Sequence, residues 1–108
     1  MAVTVEASGT QAATVGTEHS LFIGSTPKTY VGVVDLVNLA AGDEVELRVK
    51  LMVLSGGTRR QSEYAVFANA QDDLIVSTPP LASPYEWEIT LKQTAGTARS
   101  FPWHVVSV

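Results

Sequence analysis

A chain of 108 residues is bounded to a single domain of ordinary size. Apolar residues make up 45% and charged residues 17%, which excludes intrinsic disorder and calls for a packed core. A net charge of -4, with seven basic residues scattered along the chain, argues against nucleic acid as a partner. The absence of cysteine removes disulfides, thiolate metal sites and cysteine nucleophiles.

The opening "MAVTVEASGTQ" has no basic region followed by an apolar run, so no secretory signal is expected there. No apolar run reaches the roughly 18 residues of a membrane span, and the expectation is a soluble product of a cytoplasm with no membrane partner. Residues 1–17, rich in Ala, Thr, Gly and Ser, read as a flexible or extended N-terminal arm, with one short strand near Val3 to Glu6. Residues 18–108 read as one domain. Period-two alternation and β-branched residues recur there between clusters of Gly, Pro, Ser, Asn and Asp. Strands are expected at Glu18 to Ile23, Thr29 to Leu36, Asp43 to Leu54, Ser62 to Asn69, Leu74 to Ser77, Tyr85 to Gln93 and Trp103 to Ser107. Together with the first, these make eight, the pattern of an all-β sandwich or barrel. "DLVNLAAGD" from Asp35 is the one place where a helical turn fits. Pro79, Pro80 and Pro84 predict a stiff, extended crossover.

Phase assigns the core. Trp87, Ile89 and Leu91 share a face opposite Glu86, Glu88 and Thr90, and Trp103 falls in phase with Phe101 and Val105. Leu47, Val49 and Leu51 alternate with Glu46, Arg48 and Lys50 and join them. Buried tryptophans weigh against a sugar-binding module, which needs aromatic platforms on an exposed face. Tyr30, Tyr64 and Tyr85 stay open, since each can bury its ring and leave its hydroxyl wet.

No catalytic spacing stands out. His19 and His104 have no metal-ligand spacing around them, and Asp72-Asp73 reads as a turn in preference to a calcium site. "SGGTRR" from Ser55 is a hairpin turn without the spacing of a phosphate loop. The chain is therefore expected to be no enzyme and to hold no cofactor or metal. The irregular feature is the strand end "LMVLSGGTRR". Met52 and Leu54 turn its polar face apolar just before Arg59-Arg60, which reads either as a surface for a neighbouring chain or as a strand whose two faces are both covered within one subunit.

"LAAGDEVELRVKLMVLSGGTRR" from Leu39, "AVFANAQDDLIVSTPP" from Ala65 and "YEWEITLKQTAGTARSFPWHV" from Tyr85 together resemble the small capsid decoration, or cement, proteins of tailed bacteriophages. The resemblance covers about residues 18 to 108 and rests on strand order, length and the character of the turns. It implies an antiparallel, jelly-roll-like β-sandwich of about eight strands. It further implies a homodimer or homotrimer that is assembled in the host cytoplasm, sits on the capsid surface of the virion and clamps neighbouring major capsid proteins. Met52, Leu54, Arg59, Arg60 and Arg99 are the expected interface residues. The other readings are a carbohydrate-binding or adhesion module and, third, a small β-barrel enzyme with a polar pocket joining His19 or His104 to carboxylates.

Overall fold

The computed structural model describes residues 2–108, which form nine strands and, among the described residues, no helix. In chain order these are β1 (Thr4–Ala12), β2 (Glu18–Gly24), β3 (Lys28–Asp35), β4 (Glu44–Leu51), β5 (Arg60–Ala68), β6 (Ile75–Ser77), β7 (Leu81–Ser83), β8 (Trp87–Ala95) and β9 (Ser100–Ser107). All pairings are antiparallel. One sheet runs β1-β9-β3-β6, with β7 also paired to β3, and the other runs β2-β8-β4-β5.

The short strands β6 and β7 are two halves of one edge strand. Ser77 pairs with Val33 and Leu81 with Tyr30, on the side of β3 that β9 leaves free. Pro79 and Pro80 interrupt the ladder because neither has an N–H to donate. Thr78 bridges the break: its N–H donates to the Gly32 carbonyl at 2.8 Å, and its Oγ1 accepts the Gly32 N–H at 2.9 Å. The expected stiff, extended crossover is thus also a paired edge of the sheet. With β6 and β7 counted as one, the sheet orders become 1-8-3-6 and 2-7-4-5, the connectivity of a jelly roll.

Thr4–Ala12 is extended, and it is paired along its length with β9 from Ser107 back to Ser100. The sandwich therefore takes in residues that the sequence reading set outside it. The segment from Asp35 to Asp43 holds two tight turns in place of a helical one. They are closed by Leu39 N–H to Leu36 O and Asp43 N–H to Ala40 O, both at 3.0 Å.

Between the sheets lie two apolar clusters. One gathers Val34, Leu36, Leu39, Val45, Leu47, Leu91 and Phe101, and the other Tyr30, Val49, Trp87, Ile89 and Val105. Trp103 and Leu21, both half-buried, pack against each cluster and join them. Of the expected core, Leu47, Val49, Trp87, Ile89 and Leu91 are buried, while Leu51 and Trp103 are half-buried at its margin. Tyr30 stacks on Trp87 with ring centroids 5.3 Å apart, and Phe22 tilts against both. Gly24 permits that aromatic packing, because a Cβ there would come within 2.6 Å of the Tyr30 ring.

Leu91 is fully buried at the centre of the β2-β8-β4 sheet, between His19 and Leu47 in register. Leu91→Ala should cost about 2 to 5 kcal/mol, the range for deleting a buried leucine side chain. Chemical denaturation reads the difference. A loss below about 0.5 kcal/mol, ordinary for a surface change, would remove Leu91 from the core.

Candidate contact surface

The two ends of the sandwich are built differently. One end collects the loops after β1, β3, β5 and β8, and these are tied together around two buried polar side chains. Asp43, whose side chain is 1% exposed, accepts the N–H of Ala40 and of Thr97, both at 3.0 Å, and the Arg99 Nε at 2.8 Å. Its own carbonyl accepts the Asn69 N–H at 2.9 Å, and the Asn69 side chain accepts the Gly42 N–H at 2.9 Å. Gln93 donates to the carbonyls of Ala95 and Thr97 and accepts the Arg99 N–H. Gly96, at φ 89°, lies so close to Asp43 that no side chain fits there.

The other end collects the loops after β2, β4 and β7. Here β4 stops at Leu51, where it is still paired with Trp87 and Arg60, and the chain turns outward. The expected strand over Met52 to Leu54 is thus a loop, and its apolar residues are not the second face of a strand. Met52 is half-buried, its N–H bonded to the Glu86 carbonyl at 3.1 Å. Val53 and Leu54 are 79% and 72% exposed, the highest values among the exposed large hydrophobic residues. A turn closed by Gly57 N–H to Leu54 O, with Gly56 at φ 73°, holds them at the apex. Pro27, Met52, Pro84 and Tyr85 line an open cleft of about 340 Å³ beside the same loop.

The five expected interface residues do not form one surface. Met52 and Leu54 share the tip. Arg59, at the base of the same loop, is already engaged: its guanidinium reaches Glu86 at 2.8 Å and Glu88 at 3.0 Å. The hydrogen bond to Glu86, aided by the charge of both carboxylates, holds its pKa above the ordinary arginine value. Arg60 is exposed at the start of β5. Arg99 belongs to the locked end, about 25 Å away by the eight-residue length of β4 at roughly 3.3 Å per residue. Val53 was missed because it sat in the core phase of a strand expected to continue. Its position two residues before Ser55-Gly56-Gly57 was the available signal.

The outer faces contrast as well. On the β2-β8-β4-β5 sheet, charges are cross-linked: Lys50 to Glu18 at 2.9 Å, Arg48 to Glu46 at 2.8 Å, and the Thr90 hydroxyl to Glu18 at 2.6 Å. The other sheet presents Val5, Val31, Val33, Ile75 and Val106, with Asp35 and His104 at one end. It is β3, not β4, that is apolar on both faces.

Aromatic and histidine placements bear on the alternatives. Trp87 is buried, and Tyr64, 47% exposed, has its ring capped by the Arg48 guanidinium at 4.9 Å and its hydroxyl tied to Glu46 at 2.7 Å. His19 and His104 lie on different sheets, and His19 Nε2 accepts the Thr14 N–H at 3.1 Å as a loop tie. Among the described residues no three His, Asp or Glu side chains converge, Asp72 and Asp73 included. Comparison with protein families, curated proteins and solved structures finds no match to the chain.

The locked end predicts a pH dependence. The Ala40 N–H, the Arg99 guanidinium and the Thr97 N–H hold the Asp43 carboxyl below its ordinary range, against the opposing effect of burial. A carboxylate with a depressed folded pKa contributes its full stability above its unfolded value, about pH 4, and loses it as pH falls through the folded value. Asp43→Asn should therefore be clearly less stable than wild type at pH 7, and the gap should narrow below about pH 4. Urea midpoints at pH 7, 5 and 3 measure it. A gap that stays constant to pH 3 would show that the charge of Asp43 contributes nothing.

Proposed function

We propose that this protein is a structural component that docks on the outside of an assembled protein shell, as a bacteriophage capsid decoration protein does, and stabilises it without performing a reaction. The observation that carries the reading is the asymmetry of the ends: a hydrogen-bonded, closed end opposite a tip that offers Val53 and Leu54 to solvent. The resemblance of the three stretches from Leu39, Ala65 and Tyr85 supplies the kind of partner, a major capsid protein.

Physical support comes from what such a tip can do. Full burial of a valine and a leucine contributes about 1.5 to 3 kcal/mol each before association costs. Pro27 and Pro84 restrict the neighbouring loops, so less ordering is lost on contact. Arg59 is committed to the loop's own base, so it positions the tip and Arg60 is the cation left for a partner carboxylate. Ligands that bind an assembled lattice and not its dissociated parts stabilise the lattice by mass action.

Val53→Asp and Leu54→Asp should leave stability within about 0.5 kcal/mol of wild type, since both residues are exposed. Both should abolish binding to capsids stripped of the protein. Wild type should raise the temperature at which such capsids release their genome, and the variants should leave it at the bare-shell value. Equal release with and without wild type, together with no detectable binding, would overturn the reading.

A further inference from the structure

The free edge of β5 differs from the other edges of the sandwich. An unpaired edge strand is a template for another strand, and natural proteins blunt it with charge, proline, bulges or shortness. The β6-β7 edge is cut into two three-residue strands around Pro79 and Pro80. The β2 edge has a bulge between Ser20 and Phe22, and the β1 edge one between Val5 and Ala7, followed by the polar run Ser8 to Gln11. On β5 the single irregularity falls opposite Val49 and Lys50, near its start. From Glu63 to Ala68 the strand is uninterrupted, and Tyr64, Ala65, Val66, Phe67 and Ala68 carry no charge.

The flank beside this edge is also unfinished. Leu47, Val49, Ala65, Phe67 and Val76, with Glu63 at one end, line a cleft of about 90 Å³ between the sheets, where the core opens toward solvent. Tyr64, Val66, Leu74 and Ile75, on the strands that border it and the loop before β6, are 40% to 60% exposed.

We propose that β5 pairs antiparallel with β5 of a second copy about a two-fold axis near Ala65, joining two four-stranded sheets into one of eight. The charge pattern selects a second copy. With Ala65 on the axis, Glu63 stands opposite Phe67 and Tyr64 opposite Val66, so no like charges meet and apolar side chains face each other on the outer side. Pairing in this register keeps each copy's inner face on the same side as its partner's, so both clefts lie along the seam and are covered. Antiparallel pairing also carries the two Val53-Leu54 tips to opposite ends of the pair. This seam does not depend on the docking reading and is tested without a shell.

Because the chain has no cysteine, single cysteines report the seam directly. Placed one at a time from Glu63 to Ala68 and oxidised in air, they should give a disulfide-linked dimer with its maximum at Ala65 or an adjacent position, since directly opposed strand residues lie within disulfide reach. Gln11→Cys on the free edge of β1 is the control and should stay monomeric. Sedimentation of wild type should show a concentration-dependent dimer, and Val66→Lys, at an exposed site beside Glu46, should raise its dissociation constant by at least about tenfold while circular dichroism stays unchanged. A wild type that is monomeric at every concentration, or cross-linking along β5 no greater than at Gln11, would overturn the proposal. So would a dimer that Val66→Lys leaves as tight as wild type.

Discussion

Asp43 is a carboxylate placed where water barely reaches, and the end of the sandwich around it is arranged to make that tenable. A buried charge is costly unless it is paired and fully hydrogen-bonded. Here the donors come from its own turn at Ala40 and from the β8–β9 connection at Thr97 and Arg99. Asn69, after β5, bonds the backbone of the same turn, so a third loop is held to it. One side chain thereby fixes the relative position of loops that are far apart in sequence. The residues that serve it have little freedom left: Gly96 cannot carry a side chain, and the Arg99 guanidinium is engaged by the carboxylate.

This node explains why the expected interface divided as it did. Arg99 in the sequence is a cation between Ala98 and Ser100 in a turn-rich segment, and nothing local distinguishes it from Arg60. The difference is made by Asp43, 56 positions earlier, which only the fold brings to it. Strand periodicity, by contrast, is a local property. The two faces of β8, Trp87, Ile89 and Leu91 on one and Glu88 and Thr90 on the other, were legible, and so was the burial of Leu47 and Val49; the burial of Glu88 beneath Arg59 and of Thr90 beside Glu18 was not. Strand ends were not, because pairing ends a strand and pairing is non-local. β4 stops when Leu51 has met both Trp87 and Arg60, although its apolar pattern continues through Leu54. β1 was undervalued for the converse reason: its Ala and Gly have weak strand preference, and β9 supplies the ladder that makes the segment a strand.

The strand β3 shows a further limit of pattern reading. Its inner face is set by Tyr30, Gly32 and Val34, and its outer face by Val31 and Val33, so neither phase is polar. The same double apolarity was sought at the tip of β4, where the chain has left the sheet. Composition could reveal that some strand had no wet face. It could not say which of its faces lay beneath the second sheet, and the burial of Gly32 against Ile89 and Trp87 is what decides it.

The two ends also differ in how their loops satisfy the backbone, and that difference bears on function. At the closed end, side chains buried under the loops accept and donate to the backbone, so opening a loop would strand a charge or an amide away from water. At the tip the strut is Arg59, which grips Glu86 and Glu88 from the half-exposed rim and leaves the apex to a glycine-closed turn. The base of that loop is held while Val53 and Leu54 make no demand on the fold. Exposed loop residues on a rigid scaffold are where contact residues characteristically sit. Here the scaffold is the start of β8: Arg59 on Glu86 and Glu88, and the Met52 N–H on the Glu86 carbonyl, fix the base of the loop, and the turn closed between Leu54 and Gly57 keeps the apolar apex in solvent.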